Sequence, residues 1–384
     1  MNLISVSTAF IRCEYTGWWR TSPPNGEDKN VKTQRLIVDP TRLDTAEAQN
    51  AIASAARILR SGGLVALPTE TVYGLGANAL DSGAVERIFA AKQRPAWDPV
   101  IVHIAGPIEA NPMFESLVTE VPVAAQKLIA AFWPGPLTLL LPRSSAVPDA
   151  VTAGRPLVGI RMPAHPVAFE VIRQAGVPVA APSANTFSHT SPTTAAHVLD
   201  DLDARIDAIL DAGPTAHGLE STVVDPCQNP MIIYRPGAVT IDAIRAVAGP
   251  VEFFKEQARR PAESIEALPS PGVGLRHYAP RARLILVDSE LGGLRDRIST
   301  LIALHPKERI GLMLPDGTQL EAPPGGMVFQ LGDWANPEQM AHLLYSGLRT
   351  LDAARCTLIV CPVPTDEGIG VAIRDRLRKA SRQG

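Results

Sequence analysis

Gly62 to His103 reads GGLVALPTETVYGLGANAL (62–80), then RIFAAKQRP (87–95), then DPVIVH (98–103). Leu64 to Leu67 is a short apolar run that reads as a buried strand, and it enters a turn made of Pro68, Thr69, Glu70 and Thr71. A glycine-flexed segment at Gly74 and Gly76 follows. Buried strand into hydroxyl-rich, glycine-bearing backbone is a common way to hold a small polar ligand against main-chain groups. Asp81 and Ser82 can cap a helix that runs to about Ala91 and ends in the cations Lys92 and Arg94, before Pro95. Two cations so placed suit polyphosphate oxygens, or simply the C-terminal end of a helix.

Outward from this stretch, strand and helix patterns alternate. Asp44 to Arg60 has helical spacing and stops at Gly62-Gly63; Val121 to Phe132 and His165 to Gln174 are further helices. Strands are expected at 100–104, 137–141, 157–162, 177–181, 207–210, 221–225 and 231–234. This predicts an α/β or α+β first domain built on a mixed sheet, over residues 33–237. Periodicity weakens after Gly237, and 238–280 reads as a linker that leads into SPGVGLRHYAP (270–280). From 281 to 384 alternation resumes as a smaller parallel, Rossmann-like α/β domain without GxGxxG. Residues 1–32, with Trp18 and Trp19 beside Pro23 and Pro24, read as an irregular extension: a flexible arm, or a start placed too early.

The chain has 384 residues, 46% hydrophobic and 20% charged, with net charge −3, so nothing global draws it to nucleic acid or membrane. No apolar run approaches a bilayer span, and the four cysteines (Cys13, Cys227, Cys356, Cys361) include no CxxC. Free thiols in a cytoplasmic protein, with no metal site, are the expectation.

GxxxxGK[ST], HExxH and GxSxG are all absent, which argues against a Walker loop, a zinc hydrolase and an α/β-hydrolase. The residues left to carry chemistry are cations, hydroxyls and amides. Ser183 and Asn185 follow a buried strand, where loops present ligand groups. Arg161 lies inside the apolar LVGIRMP; a buried guanidinium needs an anion, either a protein carboxylate or a ligand. His103 ends an apolar strand, Glu220-Ser221-Thr222 begins another, and Arg235 precedes Pro236-Gly237. With no covalent nucleophile in sight, such a set works by positioning and by stabilising phosphoryl charge.

PTETVYGLG, KQRP, FWPGPLT, VGIRMPAHP, APSAN, SPTT, GLESTVVD and YRPG follow one another in this chain, and it closes with SPGVGLRHYAP and GIGVAIRDRLRKAS. In this it resembles the YrdC/Sua5 family of threonylcarbamoyl-AMP synthases, in its long, Sua5-type form. The resemblance implies a YrdC-like twisted mixed-sheet domain and a Sua5-type C-terminal domain. It implies a nucleotidyltransferase that makes L-threonylcarbamoyl-AMP from L-threonine, bicarbonate and ATP, with magnesium accompanying the ATP. A partner tRNA threonylcarbamoyl transferase would use the product to form N6-threonylcarbamoyladenosine. By motif, Lys92, Arg94, Ser183 and Asn185 fall around the nucleotide and its phosphates. Thr71, His103, Arg161, Ser221 and the backbone of Ala181 would form the threonine pocket. Ser191, Arg235, Asp98 and backbone near Leu157 would add ATP contacts, and His277 or Tyr278 would fold back from the linker as a lid. Two positions depart from the family pattern: Asp98 stands where asparagine is common, and His189 replaces an arginine. A double-stranded RNA-binding module is the alternative, and a hydrogenase-maturation-like carbamoyltransferase ranks last.

Overall fold

The computed structural model describes residues 32–107, 109–255, 270, 277–288 and 291–382. The extension expected over 1–32 lies outside the described residues except for its last position, as does most of the 256–276 stretch of the linker. Among the described residues eleven strands form one mixed sheet: β1 Gln34–Ile37, β2 Val65–Leu67, β3 Gly74–Asn78, β4 Ile101–His103, β5 Leu137–Pro142, β6 Leu157–Arg161, β7 Val179–Ala180, β8 Ala208–Asp211, β9 Thr222–Asp225, β10 Met231–Arg235 and β11 Val251–Phe253. Their spatial order is β1-β8-β2-β3-β7-β4-β6-β5-β9-β10-β11. β12 Arg283–Val287, β13 Ile310–Leu314, β14 Met327–Gln330 and β15 Leu358–Pro362 form a second sheet, all parallel, in the order β12-β15-β13-β14. Mixed and parallel α/β layers are therefore both present, as the patterning predicts.

Local chemistry explains the helices that flank the first sheet. The Thr45 side chain caps Ala46–Arg60 by accepting from the amide of Ala48, and Ala48, Ala51, Ile52, Ala55, Ala56 and Leu59 form its buried stripe. That stripe packs against the helix Pro166–Ala175 and the sheet face that carries Val65, Leu67 and Leu210. The opposite face holds Leu64, Leu75, Val102, Ile160 and Val224 under the helices Ser82–Lys92 and Val123–Phe132.

Three expectations are corrected. Gly74 to Asn78 is a strand, not a flexed segment: it pairs antiparallel with β2 and with β7. A Cβ at Gly76 would sit 2.9 Å from Val179 Cγ1, so the glycine is there to let β3 lie against β7. Second, the stretch read as linker carries, after the short helix expected from Ile241 and found at Ile241–Ala248, a strand, β11, which extends the first sheet parallel to β10. The apolar residues of Val251–Phe253 are too few to show a period. Third, the helices Pro112–Leu117 and Ala195–Leu202 were not visible as pattern; Asn111 and Thr194 cap them.

The two sheets share a core. Val72, Leu219 and Tyr278 from the first domain and its trailing segment pack with Met340, Leu344, Tyr345 and Leu348 of the helix Pro337–Ala353. Gly218 allows this approach: its φ is +73°, and a Cβ there would lie 2.6 Å from the Cα of His342. No helix among the described residues is long and apolar enough to cross a membrane.

Candidate active site

β2, β4, β6, β7, β9 and β10 have their ends around one cavity. Lining it are Thr71, Arg94, His103, Arg161, Ala181, Ser183, Ser221, Arg235, His277 and Tyr278, together with Thr69, Val72 and Glu220. Ten residues that the sequence marks as site candidates thus meet in one place.

The register of β4 on β6 sets His103 directly beside Arg161. Arg161 is buried; its Nε donates to the Gly135 carbonyl at 3.1 Å and its Nη1 to Thr71 Oγ1 at 2.9 Å. Nη2 lies 2.6 Å from Glu70 Oε1, so the anion left open by the sequence includes a protein carboxylate. Burial pushes the Glu70 carboxyl up, but the charge and donor of Arg161 hold it below the usual range. His103 is depressed to about 3 by burial and by the Arg161 charge, so its imidazole is neutral. The PTET turn closes on itself: Thr69 Oγ1 donates to the Val72 carbonyl at 2.6 Å and stands 2.8 Å from Thr71 Oγ1.

At the other end Arg94 Nη2 donates to the Pro99 carbonyl at 2.7 Å and pairs with Asp98 Oδ2 at 2.9 Å. His277 Nε2 stands 3.8 Å from the same oxygen, and its ring meets Phe187 edge-on at 5.2 Å. Burial and then the Arg94 charge push His277 down to about 3. Arg235 Nε donates to the Ser221 carbonyl and Nη2 to Ser221 Oγ, each at 3.0 Å, while Ser221 Oγ also meets Thr138 Oγ1 at 2.8 Å.

Five expected residues do not line the cavity. Lys92 is 1% exposed, and its ammonium donates to the carbonyls of Ser183 and Asn185 at 2.5 Å each. Burial, reinforced by the Arg94 charge, moves its pKa well below the usual lysine value. It therefore ties the end of the Ser82–Lys92 helix to the APSAN loop instead of reaching outward. Asn185 turns its amide to the carbonyls of Thr186 and His189 at 2.8 and 2.9 Å. Asp98 is fully buried against Arg94, which resolves the carboxylate at this position: it faces an arginine, not the cavity. Leu157 begins β6 in a separate apolar cluster with Ile101, Leu140, Val223 and Tyr234. Ser191 is buried and donates to Glu220 Oε1 at 2.5 Å.

A family model covering Sua5, YciO and YrdC and described as telomere recombination matches residues 57–237. A second, for the threonylcarbamoyl-AMP synthase C-terminal domain, matches 239–382. A threonylcarbamoyl-AMP synthase of Pyrococcus abyssi (strain GE5 / Orsay) is 42% identical over 329 residues, 85% of this chain and 93% of its own length. One of Bacillus subtilis (strain 168) is 41% identical over 355 residues, 91% of this chain and 98% of its own. The chain belongs to the threonylcarbamoyl-AMP synthase family. The crystal structure of P. abyssi Sua5 complexed with L-threonine superposes with a TM-score of 0.81 at 40% identity, over 91% of this chain and 98% of that one.

Within this family fold the sequence reading missed Glu70 as the Arg161 partner, Thr69 as the turn's own clasp, and two residues of the C-terminal domain. Tyr345 donates to Glu220 Oε2 at 2.9 Å, and Arg376 Nε pairs with the same oxygen at 2.8 Å. Arg376 sits in RDRLRK (374–379), a charge run that by pattern alone reads as a solvated helix face, yet it is 1% exposed. Only its tertiary partners distinguish it from the arginines beside it.

Proposed function

We propose that this chain is a nucleotidyltransferase that joins L-threonine, bicarbonate and ATP into L-threonylcarbamoyl-AMP, with release of pyrophosphate, and so supplies the threonylcarbamoyl group for N6-threonylcarbamoyladenosine in tRNA. The observation that carries this reading is the meeting of Arg94, Arg161 and Arg235 in one cavity, with hydroxyls at both ends.

The threonine amine and bicarbonate would first condense to a carbamate, with loss of water. A carbamate oxygen would then attack the α-phosphorus of ATP; the bond from that phosphorus to the bridging oxygen breaks, and pyrophosphate leaves with the electron pair. No enzyme group needs to bond to the substrate, so catalysis would rest on alignment and on charge. Arg161, with its remaining N–H groups, and Thr71 would receive the threonine carboxylate. Neutral His103 beside them would present ring nitrogens without adding charge. Arg94 and Arg235, each fixed by backbone carbonyls, would face the phosphates in a set orientation. Lys92 would act through the Ser183 and Asn185 carbonyls, holding the loop that shapes the nucleotide end.

Among the described residues no group of three or more His, Cys, Asp or Glu could hold a metal ion. Magnesium would accompany the triphosphate, where it offsets charge as the pyrophosphate departs. A tRNA threonylcarbamoyl transferase would accept the adenylate.

The test is pyrophosphate release from ATP, measured with and without threonine and bicarbonate. Release should require both, and serine should compete poorly if the pocket senses the side-chain methyl. Release that ignores threonine would end this reading.

A further inference from the structure

Glu220 is a carboxylate on the wall of a cavity that, on the reading above, takes an anionic nucleotide. Left alone it would repel the phosphates and compete with them for Arg235, whose charge already acts on it. Its oxygens are instead occupied from the far side: Ser191 Oγ and Tyr345 OH donate to them, and Arg376 Nε pairs with Oε2 at 2.8 Å. Burial pushes the Glu220 carboxyl up, but Arg376 and Arg235 hold it below the usual range, so it stays anionic and needs a counter-charge.

Arg376 makes two further contacts with the cavity's supports and one with its own neighbour. Its Nη2 donates at 2.9 Å to the carbonyl of Pro236, the residue after Arg235. Its guanidinium lies 5.1 Å from the centre of the Tyr278 ring, which Tyr345 stacks at 5.9 Å. Nη1 is held by Asp375 at 2.6 Å. A buried ion pair is weak ground for stability, because well-packed apolar residues often serve as well. Here both partners abut the cavity wall, so the effect of the pair falls on the cavity.

We infer that Arg376, from the C-terminal domain, is a positioning residue for the nucleotide end of the cavity: it neutralises Glu220 and seats Tyr278, so that Arg235 stays turned toward the phosphates. The inference rests on the synthase reading for the identity of the ligand. It gives the C-terminal domain a task in the chemistry of the first, in addition to packing against it.

The experiment uses the full chain. Arg376→Met keeps the volume and removes the charge; ATP affinity is read by calorimetric titration, and pyrophosphate release with ATP and threonine varied in turn. ATP should bind at least about tenfold more weakly, as a lost buried counter-charge predicts, while the KM for threonine moves less than about twofold. Adding Glu220→Gln should restore ATP affinity to within about threefold, because a neutral amide needs no counter-charge. Unchanged ATP affinity in Arg376→Met overturns the inference, and so does a loss that Glu220→Gln leaves in place. If Arg376→Met does not fold, Tyr345→Phe keeps the ring and removes one donor to Glu220. It should weaken ATP about two- to fivefold, again reversed by Glu220→Gln; no weakening overturns the inference. If the unmodified chain binds ATP without threonine-dependent pyrophosphate release, the synthase reading fails while the titrations still judge Arg376. If it binds no ATP, both fail.

Discussion

The two ends of the cavity are built by opposite means. At the Arg161 end every support comes from the first domain, through motifs adjacent in sequence or strands adjacent in the sheet: Thr69, Glu70 and Thr71 from one turn, His103 through the β4–β6 register, Gly135 from the next loop. At the Glu220 end the supports arrive from far along the chain, as Tyr345 and Arg376 from the second domain and Tyr278 from the returning segment. A locally built end should lose its function one residue at a time. An end assembled over long range should respond to changes that never touch the substrate.

The sharpest way to break this contrast is Arg161→Ala. It leaves Glu70 buried without its cation, which costs on the order of 3–5 kcal/mol. In whatever fraction stays folded, threonine binding should vanish while ATP binding persists, read by separate titrations of the two ligands. Equal loss of both would remove the division into two ends.

Next is pH. His103 and His277 are buried near the two ends, and each titrates at about 3 instead of 6.5. The unfolded chain therefore takes up two protons, between pH 6.5 and pH 3, that the folded chain refuses, so stability falls as the pH drops. These two histidines alone should contribute a loss of roughly 2–3 kcal/mol from pH 7.5 to 5.5 in the urea-derived stability, and His165, His197 and His217, also depressed by burial, add to it in the same direction. His103→Asn should remove roughly 1 kcal/mol of that loss, and an unaltered slope would show that the His103 imidazole does not contribute to it.

Lys92→Met tests whether a buried ammonium acts through backbone. The side chain touches carbonyls, not the cavity, so melting should move by only about 1–2 kcal/mol, whereas the turnover number should fall about a hundredfold as the Ser183–Asn185 loop relaxes. Full turnover in a folded Lys92→Met would show that the carbonyl ties are dispensable. The smallest effect belongs to Ser221→Ala, which removes one Arg235 bond of 3.0 Å. ATP affinity should drop about fivefold, near 1 kcal/mol.

This contrast also explains what could be read from the sequence. Strand and helix alternation was legible wherever a buried stripe or a cap supplied it, as with Thr45 and Ala48–Leu59. β3 was hidden because its glycines signal flexibility locally, while their use, close packing on β7, is a property of the fold. Arg161 could be flagged because a cation inside an apolar strand contradicts its surroundings. Its partner Glu70 could not, since a glutamate in a polar turn contradicts nothing. Lys92 and Asn185 belong to the neighbourhood their motifs mark, but sequence carries no sign of direction, and both side chains turn to backbone. Arg376 was the least legible of all, one arginine among several on a helix whose burial depends on a domain over a hundred residues upstream.

The apolar cluster in which Val72, Leu219 and Tyr278 interleave with Met340, Leu344, Tyr345 and Leu348 has a thermal consequence. Neither sheet can lose its packing without stripping cover from the other, and Lys32 onward forms one compact unit. Heating should then give one calorimetric endotherm for both sheets, with enzymatic activity disappearing along the same curve as helical signal from the C-terminal third. The remote end of the chain would in that way act as a thermostat for the chemistry at the other.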